Sequence, residues 1–259
     1  MLAAALLLAG RAHAQDFAGA MPVALAGDAF AALECALPPA APSFTAAVSH
    51  TRWWELRELE TRAAVIGAGW RGARAALGVS QTGEPELGWT ALALSVGGAA
   101  RDAGGAVRAC ARSERDAPWR AERLWSPSAG LELGAGAWLE PVPGVRVWAA
   151  APQALVRGSP PPLVRSLELG VRAGSASSVW LALRAPRAGD DGERALGLQL
   201  ALAPLAVWGE VRDTPLRAAA GVRATAAALH VELRVDAHPV LGETVRMAVG
   251  WQRAGRAGS

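Results

Sequence analysis

The sequence predicts an all-β fold: a transmembrane antiparallel β-barrel of about 14 strands, with a short N-terminal helical or coil segment acting as a plug. Three observations lead there. Apolar and polar residues alternate with a period of two in segment after segment. The clearest case sets Leu229, Val231, Leu233 and Val235 against His230, Glu232, Arg234 and Asp236. About 14 such segments, each about 7–11 residues long, follow one another through mostly short connections, which is the number and length range of an outer-membrane barrel. The first residues carry the pattern of an export signal.

Composition excludes several classes. Hydrophobic residues make up 52% and charged residues 19% of the 259 positions, so the chain is not disordered. No apolar run reaches the roughly 18–20 residues of a membrane helix, so a membrane span here has to be made of strands. Lys, Asn and Tyr are absent and Ile66 is the only Ile, the mark of a GC-rich genome. All 26 basic residues are therefore Arg, and the net charge is only +3. A charge that small and that dispersed excludes nucleic acid as a partner.

Taken in order, residues 1–14 read as a signal peptide, with the apolar core Leu2 to Ala9 and the small-x-small site Ala12-His13-Ala14. Its loss removes Arg11 and takes the net charge from +3 to +2. No basic n-region precedes the core, which points to a start upstream of Met1. Residues 15–42 form a plug-like segment: Asp16 to Leu37 is Ala-rich and reads as helix or compact coil, ended by Pro38, Pro39 and Pro42. In an oxidising compartment Cys35 and Cys110 are candidates for a disulfide. Two lone cysteines at that separation suit no metal site.

The barrel is expected over 43–253, with 254–259 as a C-terminal tail. Its strands begin with Phe44 to Trp54, Thr61 to Arg71, Arg74 to Thr82, Leu87 to Val96 and Ala106 to Arg112. An irregular, charged connection follows from Ser113 to Pro127, a candidate rim loop. Gly130 to Leu139 and Gly144 to Ala151 pair across Pro141-Val142-Pro143. After the stiff Pro160-Pro161-Pro162 come Ser166 to Ala173 and Ser178 to Arg184, then the turn signal Gly189-Asp190-Asp191-Gly192. Leu196 to Leu202, Ala206 to Arg212, Leu216 to Thr225, Leu229 to Ala237 and Thr244 to Gln252 complete the series.

A soluble β-sandwich also has one apolar and one polar wall. Strand number, export and the position of Trp near strand ends favour the barrel. Trp53, Trp54, Trp70, Trp89, Trp138, Trp208 and Trp251 are then expected at the membrane interfaces as an aromatic girdle. The Leu/Val wall would meet lipid. The other wall would line the lumen, with Arg217, Arg223, His230, Glu232, Arg234, Asp236 and Arg246 as its candidates. Ion pairing across strands is the expected reason for such charges.

Ala20-Met21-Pro22-Val23-Ala24-Leu25-Ala26-Gly27-Asp28-Ala29-Phe30-Ala31-Ala32-Leu33 resembles the N-terminal signature of the PorV/PorQ group of FadL-like outer-membrane proteins. In that group an Asn-Pro-Ala-Gly turn follows, where this chain has Glu34-Cys35-Ala36-Leu37-Pro38. The resemblance implies a barrel of a Gram-negative outer membrane whose N-terminal segment folds into the lumen, with Met21, Val23, Leu25, Asp28 and Phe30 as plug residues. It implies passage or handling of hydrophobic solutes, or support of protein secretion and surface attachment. The implied partners are outer-membrane lipid, hydrophobic small molecules and secretion-system components.

No cofactor and no metal site is expected, and the chain does not read as an enzyme. Ser49, His50 and Ser80 are the only material for a barrel-borne hydrolase, and adjacent strand residues such as Ser49 and His50 point to opposite faces. Asp190, Asp191 and Glu193 suit a solvated hairpin turn better than a Ca²⁺ loop. A soluble exported β-sandwich that binds a partner remains the alternative, and a hydrolase the second alternative.

Overall fold

The computed structural model describes Phe30 and Leu33 and residues 43–54, 56, 60–84, 87–100, 102–116, 129–158, 167–174, 177–185, 193–213, 216–240 and 242–254. Their strands are β1 (Ser43–Arg52), β2 (Glu60–Trp70), β3 (Ala73–Gly83), β4 (Leu87–Ala99), β5 (Ala103–Asp116), β6 (Ala129–Val142) and β7 (Val145–Gly158). They continue as β8 (Leu167–Ala173), β9 (Ser178–Ala185), β10 (Glu193–Leu202), β11 (Leu205–Asp213), β12 (Leu216–Ala226), β13 (Leu229–His238) and β14 (Gly242–Ala254).

Each strand pairs antiparallel with its sequence neighbours, and β1 pairs with β14 from Ser43–Ala254 to Arg52–Val245, so the sheet closes into a barrel. Closure removes the two edges that an open sheet of this size would expose. It also overturns the β-sandwich alternative, since a sandwich has two stacked sheets. The connection expected from Ser113 begins later: Ser113 to Asp116 extend β5 and pair with β4. Residues 117–128 then link β5 to β6.

The connections fall into two sets. At the end of the barrel that carries Ser43 and Ala254, the strands turn through 71–72, 100–102, 143–144, 174–177, 203–204 and 227–228. The opposite end carries the longer connections 53–59, 117–128, 159–166 and 186–192. Arg71 and Gly72 show how the short turns are made: both have positive φ, 48° and 84°, which matches a two-residue hairpin to the strand twist. In bacterial barrels the short turns face the periplasm and the long loops the exterior.

The walls separate by chemistry. Val48, Ile66, Leu92, Leu94, Leu133, Leu169, Leu181, Leu198, Leu233 and Met247 are all exposed on the outer wall. A water-soluble protein rarely exposes an apolar patch beyond a few hundred Å². An apolar belt running round the barrel makes sense against hydrocarbon, which needs no hydrogen bonds from it. Closure, strand number and this belt together make the chain a β-barrel of the bacterial outer-membrane type.

The tryptophans depart from the expected girdle. Trp53, Trp138 and Trp208 are buried, and so are Trp148 and Trp180. Inward parity places all of these but Trp53 on lumen-facing strand positions; Trp53 lies just beyond β1. The outward aromatics gather at the rim that carries the chain ends: Trp70 is 65% exposed, and Phe44 stacks tilted on Trp251 at 5.7 Å. The reason is size. A barrel this wide has an interior to fill, and indoles fill it.

Residues 1–14, 255–259, Met21, Val23, Leu25, Asp28 and Cys35 lie outside the described residues, as do Asp190 and Asp191. The signal peptide, most of the plug and the disulfide therefore receive no structural account. Cys110 lies on the inner wall of β5, fully buried.

Candidate functional site: the lumen

Among the described residues the lumen gathers most of the buried charged and aromatic side chains, and its wall has two unlike halves. From β1 to β4 most inward residues are small: Thr45, Ala47 and Ser49 on β1, Ala63 on β2, Ala76 and Ser80 on β3, Ala91 and Ala93 on β4, with Arg74 near one end of β3 and Trp89 near the other end of β4 as the large inward side chains. Small side chains leave depth in front of this wall. Phe30 and Leu33, both helical, occupy it at 1% and 0% exposure, in one apolar cluster with Ala47, Val65, Ala91, Ala93 and Cys110. The Arg246 guanidinium, from β14 next to β1, lies 4.8 Å from the centre of the Phe30 ring. Cation and ring face attract, so this contact adds to the apolar seating of Phe30.

From β6 to β11 the wall is aromatic. Trp138, Trp148, Trp180 and Trp208 form one cluster with Ala106, Ala182, Ala195 and Ala219. Each indole lies over a glycine directly opposite on a neighbouring strand: Trp138 over Gly104 on the strand before it, and Trp148 over Gly170, Trp180 over Gly197 and Trp208 over Gly221 on the strand after. A Cβ added at Gly221 would come within 2.5 Å of the Trp208 ring, and at Gly170 or Gly197 it would overlap the indole outright. His230 uses Gly250 in the same way. Glycine thus supplies a flat bed that lets a ring from one strand reach a second strand beyond. Trp180 on β9 crosses Gly197 on β10 and donates Nε1–H to Glu210 Oε2 on β11 at 3.1 Å. Trp148 donates to Glu168 Oε1 at 2.8 Å. Trp208 crosses Gly221 and meets the Arg234 guanidinium of β13 at 5.2 Å.

The charged residues complete the wall from β10 to β14. Arg217, Arg223, His230, Glu232, Arg234, Asp236 and Arg246 all stand at inward positions of β12, β13 and β14. Arg223 and Glu232 are direct cross-strand partners, with Nη2 to Oε2 at 2.6 Å. Arg212 reaches Glu210 at 2.5 Å and Asp236 at 3.2 Å, and Arg234 reaches Asp236 at 3.3 Å. Ala219 on the intervening β12 is what lets Arg212 of β11 span to β13. Arg217 pairs with Glu193, which also lies 3.8 Å from Arg212. Glu193 is therefore an inner-wall residue, not part of a cation loop. A charge taken from water needs such partners, because the desolvation cost of an unpaired one is several kcal/mol.

Ala91, Ala93, Ala182 and Ala195, on both sides of the barrel, have no exposed surface at all. Small wall residues reach zero exposure only if other groups cover them, whereas the inward side chains of Arg217 and Arg223 keep 24% and 21% of theirs. Ser49 and Ser80 face this interior, whereas His50 faces outward and pairs with Glu60 at 3.2 Å, so no serine–histidine couple forms. Among the described residues no group of three or more His, Cys, Asp or Glu is placed to hold a metal ion.

Trp148, Trp180 and the five glycines under the rings escaped the sequence reading. The signal was present but needed register: only with strands paired do these four indoles and the His230 imidazole fall opposite inward glycines. No family model and no curated protein matches the sequence. Among solved structures, the chain is similar to a mutant of the Rhodopseudomonas blastica porin, with 9% identity over 82% of this chain and 99% of that one, at a TM-score of 0.46. It is likewise similar to the Acinetobacter baumannii outer membrane protein Omp33, with 9% identity over 83% and 99% and a TM-score of 0.49. The closed strand order, rather than these distant similarities, sets the architecture.

Proposed function

We propose that this chain is a plugged outer-membrane barrel that handles or passes hydrophobic solutes, with residues 15–42 as the plug. The observation that carries the reading is the seating of Phe30 and Leu33 against the small apolar wall of β1 to β5. An aqueous pore needs a wet lumen with polar walls. This one offers an apolar floor, an aromatic bank and charges already paired with one another. Apolar ligands favour such concave, largely apolar sites with few polar groups. The same resemblance to FadL-like proteins also implies secretion support, but only solute handling has a counterpart in the lumen.

The test uses the full-length protein in planar bilayers and in liposomes. Wild type is expected to show no sustained ion conductance, and Phe30→Ala/Leu33→Ala to show frequent openings. A long-chain fatty acid is expected to quench Trp fluorescence saturably in wild type. Steady large conductance in wild type, or quenching that never saturates, overturns the proposal.

A further inference from the structure

The rim opposite the chain ends carries a feature the lumen does not explain. His50 and Arg52 on β1 face Arg62 and Glu60 on β2 as direct cross-strand partners. All four point outward, on the lipid side, at the last turn of wall before the β1–β2 connection. They converge on one carboxylate. Glu60 lies 3.1 Å from Arg52 Nη2, 3.2 Å from His50 Nε2 and 3.9 Å from Arg62 Nη2. One negative charge thus organises two guanidinium groups and an imidazole, and the cluster keeps a positive excess. The guanidiniums stay available: the Arg52 and Arg62 side chains are 46% and 74% exposed.

The surroundings fix what such a cluster faces. Below it on the same outer wall lie Val48 and Ile66, and Met247 stands beside His50 on β14; all three are more than half exposed and part of the hydrocarbon belt. Below those, at the other rim, come Phe44, Trp70 and Trp251. The strand ends under the cluster are anchored from inside. Trp53 Nε1–H donates to Thr61 Oγ1 at 2.8 Å, Thr61 and Thr82 share a hydrogen bond at 2.7 Å, and the Trp54 amide donates to Thr244 Oγ1 at 3.3 Å. The rim is thus a fixed base for the basic side chains. The long connections place this rim at the outer leaflet. That leaflet in outer membranes is built from saccharolipids whose sugar headgroup carries phosphates directly above the acyl chains.

We propose that His50, Arg52 and Arg62, set by Glu60, form a binding site for the headgroup phosphates of an outer-leaflet saccharolipid whose acyl chains lie along β1, β2 and β14. Guanidinium is suited to this, because its planar fork gives two parallel hydrogen bonds to phosphate oxygens and keeps donors over for Glu60. The same rim supplies an internal comparison. Arg194 on β10 is also outward and 73% exposed, but it has a carboxylate of its own, Asp213 at 2.9 Å. The proposal rests on the barrel lying in an outer membrane and not on any solute in the lumen.

The experiment titrates the full-length protein, purified in detergent, with bisphosphorylated lipid A, with lipid A stripped of phosphate, and with inorganic phosphate, read by native mass spectrometry. Arg52→Gln/Arg62→Gln is expected to bind bisphosphorylated lipid A about 30-fold more weakly than wild type, from the loss of two surface cations. Arg194→Gln is expected to match wild type, and stripped lipid A to bind wild type as weakly as intact lipid binds the double variant. Equal binding by the double variant, or no dependence on the lipid's phosphates, overturns the site. Inorganic phosphate competing as well as the lipid also overturns it, as a site for free anion. A heat-sensitive gel shift retained in every variant keeps loss of fold from imitating loss of binding, and a conductance result against the plugged lumen would leave this outcome untouched.

Discussion

Replacing Gly197 with Ala tests whether the rings over glycine hold the barrel together. The added Cβ would overlap the Trp180 ring and stand 2.8 Å from the Gly209 carbonyl oxygen. Trp180 is 1% exposed, so it has nowhere to retreat. Moving it creates overpacking, at about 1–3 kcal/mol. It also breaks the bond to the Glu210 carboxylate, at about 1.5–3 kcal/mol for a charged acceptor. The sum is a loss of about 2.5–6 kcal/mol. Gly209→Ala is the control on the neighbouring strand: there a Cβ meets nothing nearer than the Ala219 carbonyl oxygen at 3.9 Å. Alanine in that place is neutral or stabilises by about 0.5–1 kcal/mol, since glycine loses more backbone freedom on folding. Urea unfolding in detergent, followed by Trp fluorescence, reads the difference as a midpoint lowered by about 2 M for Gly197→Ala. In a Trp180→Ala background the same change should cost clearly less than in wild type, because the ring clash is gone and only the 2.8 Å approach to the Gly209 carbonyl oxygen remains. If Gly197→Ala and Gly209→Ala unfold together, or if removing Trp180 brings no relief, glycine and indole are not coupled and the account of the inner wall fails.

Two further outcomes follow from the walls. Glu232→Gln leaves the Arg223 guanidinium without its 2.6 Å carboxylate and should cost about 3–5 kcal/mol, read by the same urea titration; an unchanged midpoint would mean the lumen is wet enough to solvate Arg223. Leu233→Arg places a cation on the outer wall midway along β13, and should cost about 2–4 kcal/mol in a lipid bilayer, whereas Leu229→Arg at the strand end should cost about 0–1 kcal/mol. Equal effects of the two, measured by reversible folding into vesicles, would show that no hydrocarbon gradient lies along that strand.

The barrel was legible because period-two alternation survives burial on one side and lipid on the other. Leu229 to Asp236 alternates without a break, and a strand is the conformation that sorts such a sequence onto two faces. The placement of the charged candidates on β12 to β14 came from the same parity. What alternation does not report is distance across the lumen. Trp138 and Trp208 sit near strand ends in the sequence and read as interface residues, yet their parity matches Glu140 and Glu210, not the Leu/Val wall. Reading parity ahead of position would have turned them inward. The glycines under the rings were illegible for a different reason: Gly170, Gly197 and Gly221 look like weak points of a strand until the partner strand is known. Ser113 to Asp116 misled because charge was taken for a loop, when β5 extends past the belt into a region where polar side chains cost little.

The two halves of the lumen answer one problem of size. A barrel of this width cannot be filled by its own wall if every inward residue is small, and cannot close smoothly if every one is large. This chain divides the labour by strand. From β6 to β11, indoles laid over glycines and tied to Glu168, Glu210 and Arg234 fill space from within the sheet. From β1 to β4, the small residues at mid-height, Ala47, Ala63, Ala76, Ala91 and Ala93, leave space that Phe30 and Leu33 take up from outside the sheet. The first filling is built into strand pairing and can leave only if the barrel unfolds. The second belongs to no strand pair: among the described residues it is held by apolar contact and by the approach of Arg246 to the Phe30 ring. On the proposed reading of a plug, an opening lies on the β1 to β4 side, and the conductance of Phe30→Ala/Leu33→Ala should be sensitive to bulk added at Ala93 but not at an outward position such as Leu94.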